Sequence, residues 1–376
     1  MLQASGKADV RVHFESLTDP RRGKVTYPLI NVVVMTLCAV VCGSDDFVSV
    51  ALWAESNKAW LAKYLDMSAG VPSHDRFNAI LAALKPAEFE ACLLSWITAL
   101  HEVTSGQVVA IDGKTLRRSY DTASGKSAIH MVSAWATANR ISLGQVVTDQ
   151  KSNEITAIPK LLETLEIAGA IVTIDAMGCQ TEIVEQIAEK GAVACIAVKN
   201  NQPKLHEAVE SHFDGLIESG LDGAAARLTD RRDKGHGREE HRCYVICRVP
   251  QSVKDLGRWP KVKAIGLATS ITIRDGKEHT EVRHYILTKY VSAERFAEAV
   301  RSHWGIENSL HWQLDVTFNE DQCRIRKGHA DANFSIIRRF ALGLLKNEKT
   351  VKVGIKNKRL LAASNDNYLA KVLFAT

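Results

Sequence analysis

No segment of this chain is long and apolar enough to cross a bilayer. The best stretch, Leu29 to Cys42, runs about 14 residues and contains Asn31 and Thr36, short of the roughly 20 that a spanning helix needs. It therefore reads as a buried helix. The start, MLQASGKADVRVHF, is polar, so no cleavable signal is visible and the expected location is the cytoplasm. A disulfide framework is also missing. The eight cysteines are scattered from Cys38 to Cys323, most of them inside apolar runs, as reduced core thiols are. Cys243 and Cys247 have the wrong spacing for a zinc knuckle and fall in a strand-like run. Internal repeats and low-complexity tracts are absent, which excludes a fibrous repeat. Nor is there a large excess of one charge: 48 Lys and Arg against 43 Asp and Glu give +5, which permits a polyanionic partner without requiring one.

What is present is ordinary globular material. Hydrophobic residues make up 46% of 376 and charged residues 24%, enough for two or three folding units at roughly 100–200 residues each. The charge is unevenly placed. Gln322 to Thr376 holds 12 Lys and Arg against three Asp and Glu, a local +9, so the preceding part sums to −4. A basic C-terminal end suggests contact with phosphates; a solvated basic face on a terminal helix is the competing reading.

Residues 1–105 read as a helical N-terminal domain whose short helices suit binding of a DNA end, a plain packing domain being the competing reading. Asp19-Pro20-Arg21-Arg22 is a turn before the apolar helix near 28–42. A second helix fits Phe47 to Leu65, Ser73 can cap one through Leu84, and Pro86 can start another to about Leu100. At about residue 107 the pattern changes. Gln107 to Ile111, Ile129 to Thr137 and Ile141 to Thr148 read as strands, Glu154 to Leu165 as an amphipathic helix, Ala170 to Ile174 as a strand, Gln180 to Lys190 as a helix and Ala192 to Val198 as a strand. The order β-β-β-α-β-α-β is that of the ribonuclease-H-like α/β fold: a meander followed by right-handed crossovers into parallel strands. The segment 106–200 would be the first part of that core. From 201 to 290 the helical signal fades into a β-rich insertion, with strands at Glu240–Val249, Ala264–Arg274 and Glu281–Leu287. Core helices resume over 291–350, and 351–376 reads as a basic C-terminal tail.

In such a fold the first and fourth strands are neighbours. Asp112 and Asp175, ending Val-Ala-Ile-Asp-Gly and Val-Thr-Ile-Asp-Ala, would then stand at matching strand ends within reach of one shared ion. Glu307 borders a helical stripe of Trp304, Ile306, Leu310 and Leu314 and can supply a third carboxylate. Hard carboxylate oxygens together with phosphate oxygens are what Mg²⁺ prefers. Paired divalent ions then support in-line attack at phosphorus by a water or a 3′-hydroxyl. A different use of the same helix is also open, because His303, Glu307 and His311 fall at i, i+4 and i+8 and could be the ligands of a zinc hydrolase.

At these residues the sequence resembles the DDE transposases of bacterial insertion sequences, in the group of the H-repeat-associated proteins. The matching segments are Ile111-Asp-Gly-Lys-Thr115, Lys151-Ser-Asn-Glu-Ile155, Thr173-Ile-Asp-Ala-Met177 with Cys179-Gln180, Val198-Lys-Asn-Asn-Gln202, His236-Gly-Arg238, His303-Trp-Gly-Ile-Glu-Asn308, His311-Trp312 and Phe318-Asn-Glu-Asp321. Asp19-Pro20-Arg21 and Pro72-Ser73 fit the helical domain that accompanies the group, and the likeness runs from about 12 to 350. The resemblance implies a ribonuclease-H-like core with a β-rich insertion before the last acidic residue. It implies Mg²⁺-dependent cleavage and transfer of DNA strands at terminal inverted repeats, with Mn²⁺ able to substitute, and a homodimer when two ends are synapsed, with nucleoid association on DNA. Carried over by position, Asp112, Asp175 and Glu307 would be both catalytic and metal-binding. Two positions depart from the pattern of related transposases: His303 stands where an Arg is usual and Leu314 where a Lys is usual. DNA contacts would then come from Lys114, Lys199, Asn200, Gln202, His236, Arg238, Arg301, His303 and Arg324, with Glu320 and Asp321 as substitute carboxylates. A catalytically inactive DNA-binding remnant of a transposon fits the same motifs.

Overall fold

The computed structural model describes residues 10–100, 107–116, 118–120, 128–138, 140–148, 154–220, 226–235, 238–274 and 277–374. The first part is helical: α1 (Val10–Phe14), α2 (Leu29–Val41), α3 (Phe47–Ser56), α4 (Lys58–Leu61), α5 (His74–Ala83) and α6 (Pro86–Leu100). Local chemistry sets the ends. Asp46 and Ser49 form a reciprocal capping box on α3. Ser73 Oγ accepts the Arg76 N–H at the start of α5. The helix expected over Phe47–Leu65 is broken at Asn57, whose side-chain amide turns back onto the Trp53 carbonyl at 2.8 Å. Helix α2 is apolar all round and is buried from Asn31 to Val41. Its polar groups are satisfied internally: Asn31 Nδ2 donates to the Asp66 carbonyl at 2.6 Å and Thr36 Oγ1 to the Val32 carbonyl at 2.7 Å. Among the described residues no helix is long and apolar enough to cross a membrane.

The meander follows as β1 (Val108–Thr115), β2 (His130–Ala136) and β3 (Ile141–Thr148). Then come α7 (Glu154–Thr164), β4 (Ile171–Ile174), α8 (Thr181–Glu189) and β5 (Val193–Val198). These strands lie in the order β3-β2-β1-β4-β5, with β1–β4 and β4–β5 parallel, which is the ribonuclease-H-like arrangement read from the sequence.

The insertion differs from its reading in two ways. It opens with a long helix, α9 (Pro203–Glu218), whose Leu205, Val209 and Phe213 face the sheet. Its strands also form no separate unit. After β6 (Ala226–Gly235), β7 (Arg238–Arg248), the short α10 (Gln251–Lys254), β8 (Ala264–Arg274) and β9 (Lys277–Leu287), strand β9 pairs antiparallel with β5. A single sheet of nine strands results, ordered β3-β2-β1-β4-β5-β9-β8-β7-β6. Trp259 is buried as an anchor of this region's core.

Strand alternation assigns two faces. Val109, Ile111, Val172, Ile174, Ala194, Ile196 and Val198 pack with α7, α8 and α9. Val108, Ala110, Ile171 and Cys195 face the other way. That second face is covered by α11 (Ala293–Ile306), a single π-helical turn (Glu307–His311), α12 (Trp312–Val316) and α13 (Ala330–Asn347).

The basic tail expected over 351–376 is folded. It forms α14 (Ile355–Ser364) and α15 (Asp366–Phe374), and Tyr368, Leu369, Val372 and Leu373 join the core of the N-terminal helices. Some of the positive charge of the C-terminal part, on α13 and α14, is turned inside. Lys358 Nζ donates to the Leu345 carbonyl at 2.9 Å, and Arg359 Nη2 donates to the Val40 carbonyl at 2.9 Å and to Asp45 at 3.0 Å. Arg338 and Arg339 are each 1% exposed. Four of the twelve cations behind the local +9 are thus internal, Arg338 and Arg359 among them tying this part of the chain to the N-terminal helices, while Arg324, Lys327, Lys349, Lys352, Lys356 and Lys371 are exposed.

Candidate active site

Register puts the two aspartates together. Ile111 on β1 pairs with Ile174 on β4, so Asp112 and Asp175 follow at the same level of adjacent parallel strands. Each has one oxygen fixed by the backbone beyond it: Asp112 Oδ1 accepts the Gly113 N–H at 2.9 Å, and Asp175 Oδ1 accepts the Met177 N–H at 3.0 Å. Glu307 enters from the first residue of the π-helical turn that interrupts the helix over this face. Single π-helical turns of this kind are rare inside α-helices and frequent at functional sites. Burial, and then the charges of Asp175, Glu307 and Glu154, push Asp112 up to about 7. Burial and the Glu154 charge also raise Asp175, while Lys199 lowers it. Four carboxylates thus share one electrostatic neighbourhood. Their oxygens are the donor type a hard divalent cation takes, and such a cation would relieve their mutual repulsion. The trio is open: among the described residues, only His206, Glu210 and His284 bring three ligand atoms within 4.8 Å of one another.

Two buried networks support this edge. Behind Asp112, His130 Nε2 meets Glu154 Oε1 at 2.6 Å while His130 Nδ1 meets Thr115 Oγ1 at 2.8 Å. Gly113 makes room for that pair, since a Cβ there would lie 2.6 Å from His130 Nε2. In front, Lys114 Nζ donates to Glu320 Oε2 at 2.7 Å and also pairs with Asp315, and Ser335 Oγ donates to Glu320 Oε1 at 2.6 Å. Burial opposes ionisation of Glu320, but Lys114, Arg339 and Arg338 hold it down at about 2. His311 Nδ1 lies 3.5 Å from Asp112 Oδ2. Burial, with Arg339 and Lys114 nearby, drives that imidazole down to about 3, so at neutral pH the contact is not an ion pair. Glu154 falls within the matched segment Lys151–Ile155, where it reads as a helix start with DNA contact as the alternative. Its closure on His130 comes from packing of α7 against β2.

Several expected DNA contacts prove to be internal. Lys114 is committed to Asp315 and Glu320 and is 8% exposed. Gln202 is buried and donates to the Cys179 carbonyl at 2.9 Å. His303 Nδ1 stands 3.1 Å from Thr173 Oγ1 on β4, and burial lowers it to about 4. Glu320, a substitute carboxylate in the sequence reading, is sealed among cations. Lys199, Asn200, Arg301 and Arg324 remain at the surface. His236 lies outside the described residues, and Arg238 is described only as the first residue of β7. The zinc reading fails on geometry. His303 turns to β4 and His311 to Asp112, and with Glu307 they do not converge on one point.

Two aspartates at the C-terminal edge of the central strands and a glutamate from the helix across them make an acidic cluster on a ribonuclease-H-like sheet. Residues 104–344 match the family described as "Transposase DDE domain" and residues 11–97 the one described as "DDE_Tnp_1-associated"; the chain belongs to the DDE transposase family. It is 40% identical over 367 residues to "H repeat-associated putative transposase YhhI" of Escherichia coli K12, covering 96% of each chain. It is 41% identical over 367 residues to "Putative protein YbfL" of the same strain, again covering 96% of each. With "Putative transposase YncI" of Escherichia coli O157:H7 it shares 40% identity over 94% of this chain and 91% of that one.

Proposed function

We propose that this chain recognises the terminal inverted repeats of an insertion sequence and there cleaves and rejoins DNA strands, with Mg²⁺ as the working ion and Mn²⁺ as a substitute. One observation carries the reading: Asp112 and Asp175 follow register-paired residues on adjacent parallel strands, and Glu307 lies close enough for its charge to act on Asp112. In this reading Asp112, Asp175 and Glu307 hold the ions, each from a separate element. Bound divalent ions supply an activated oxygen nucleophile and stabilise the leaving oxygen of an in-line displacement at phosphorus. The remaining work belongs to the protein. The backbone N–H groups of Gly113 and Met177 fix one oxygen of each aspartate. Lys199 and Asn200, exposed beyond β5 with Lys199 acting on Asp175, hold a backbone phosphate beside the scissile bond.

The DNA end is assigned to a cleft of about 1070 Å³ between the N-terminal helices and the loop before α13, where His74 and Asn78 face Arg324, Arg326 and Lys327. Synapsis of two ends calls for two copies of the chain on DNA.

The test uses the full-length chain, labelled repeat ends and Mg²⁺. Wild type should cut and join, Asp112→Asn and Asp175→Asn should bind without cutting, and binding should fall steeply with salt. Cleavage by both variants at the wild-type rate would overturn the assignment. Binding by wild type without cleavage at any Mg²⁺ or Mn²⁺ level would identify an inactive remnant instead.

A further inference from the structure

A second cluster lies on the opposite face of the sheet from Glu307. On β9, His284 pairs with Val198, the last residue of β5, and points to the side where Ile286 and Val198 meet α9. It is 7% exposed and occupies a position that strand alternation reserves for an aliphatic side chain. Its ring stacks on Phe213 and stands edge-on to His206, with centroids 5.1 Å apart. His206 and Glu210 are one turn apart on α9, and His206 Nδ1 is 3.7 Å from Glu210 Oε2. The three ligand atoms lie within 4.8 Å of one another. None of these residues takes part in the acidic site.

The geometry points to a transition-metal site, suited to Zn²⁺, in which His206, Glu210 and His284 are the protein ligands and water completes the shell. Two imidazoles and one carboxylate are a borderline donor set that favours Zn²⁺ over the hard ions taken by an all-carboxylate centre. With metal–ligand bonds of about 2.1 Å, tetrahedral ligand atoms stand roughly 3.4 Å apart, so side-chain rotations about α9 close the set without moving the backbone. The position gives the site a consequence. A metal bridging α9 to β9 clamps the near end of α9, which begins at Pro203, directly after the Lys199–Gln202 turn that carries Lys199 past Asp175. The acidic centre and this clamp would therefore use different metals at two places on one sheet edge.

The experiment takes full-length protein stripped with chelator and titrates Co²⁺, then Zn²⁺ in competition, following the visible ligand-field bands and thermal unfolding. The expected result is one tight equivalent per chain, with tetrahedral-type bands that Zn²⁺ bleaches and an unfolding temperature that rises with Zn²⁺. Glu210→Gln and His206→Gln, at part-exposed positions where folding is retained, should each weaken Zn²⁺ binding at least about 100-fold. An Asp112→Asn, Asp175→Asn double variant should keep both the bands and the affinity, which separates this site from the acidic one whether or not the protein cuts DNA. Unchanged Zn²⁺ affinity in Glu210→Gln and His206→Gln, or loss of the bands in the double aspartate variant, would overturn the proposal.

Discussion

Asp112→Asn should make the metal-free protein more stable while abolishing its chemistry. Burial and three neighbouring carboxylates raise Asp112 from 3.8 to about 7, so the folded state binds its proton more tightly than the unfolded chain does. The sign follows by linkage: this group favours folding in acid, and the benefit disappears as pH rises from 3.8 through 7. At pH 8 the carboxylate is ionised in both states, and the folded one bears a cost of up to about 4 kcal/mol, at 1.36 kcal/mol per pH unit. Asparagine keeps the shape and the oxygen that accepts the Gly113 N–H but carries no charge. Urea unfolding at pH 8 in chelator should therefore show the variant more stable than wild type by a few kcal/mol. Saturating Mg²⁺ should then close most of the gap, because an ion at 100 times its Kd adds about 2.7 kcal/mol to wild type and much less to a site missing one ligand. If the variant is no more stable than wild type without metal, or if Mg²⁺ stabilises both equally, the aspartate is not held in a repulsive carboxylate cluster.

Glu320→Gln has the opposite sign. Held near 2 by Lys114, Arg339 and Arg338, this buried carboxylate contributes about 3 kcal/mol that is fully present above pH 4.5 and is lost as pH falls toward 2. Urea unfolding at pH 7 should show that loss, and Lys114→Met with Glu320→Gln should cost less than the two single changes combined. Gly266→Ala should cost about 1–3 kcal/mol, because its Cβ would overlap the Phe296 ring, nearest at Cζ and with Cε2 at 2.8 Å. Gly305→Ala, in a helix with open space around it, should be neutral or gain up to about 1 kcal/mol in the same measurement. His303 is kept neutral, with its pKa lowered to about 4, so stability should fall as pH drops from 6.5 toward 4; His303→Gln should flatten that part of the pH–stability curve.

The central sheet was legible because its signals are local. Short β-branched runs, a hairpin-sized turn and amphipathic helices between parallel strands leave few topologies, and two strands ending in Ile-Asp locate both aspartates. Helix starts at Ser73 and Pro86 were legible for the same reason. Pairing across long stretches of chain was not. Lys114 is joined to residues 201 and 206 positions away, and nothing beside it on β1 announces that it is internal. The twelve cations near the C-terminus suggest a tail only until the core that absorbs Arg338, Arg339, Lys358 and Arg359 is seen. Strand β6, Ala226–Gly235, carries charge at most positions and lacks the apolar alternation that marks β8. The amphipathic stripe of α9 is the clearest signal the sequence reading passed over, since Leu205, Val209 and Phe213 recur at helical spacing.

The union of the two chain ends bears on how such a protein is made. Helix α2, apolar on every side, leaves the ribosome more than 300 residues before Ala362, Tyr368, Leu369, Val372 and Leu373, which share its core. A product cut short after α13 would still contain Asp112, Asp175 and Glu307, but would leave part of a greasy helix uncovered. Such copies would fail first as soluble molecules, taken by chaperones and proteases, before any defect in chemistry could be felt.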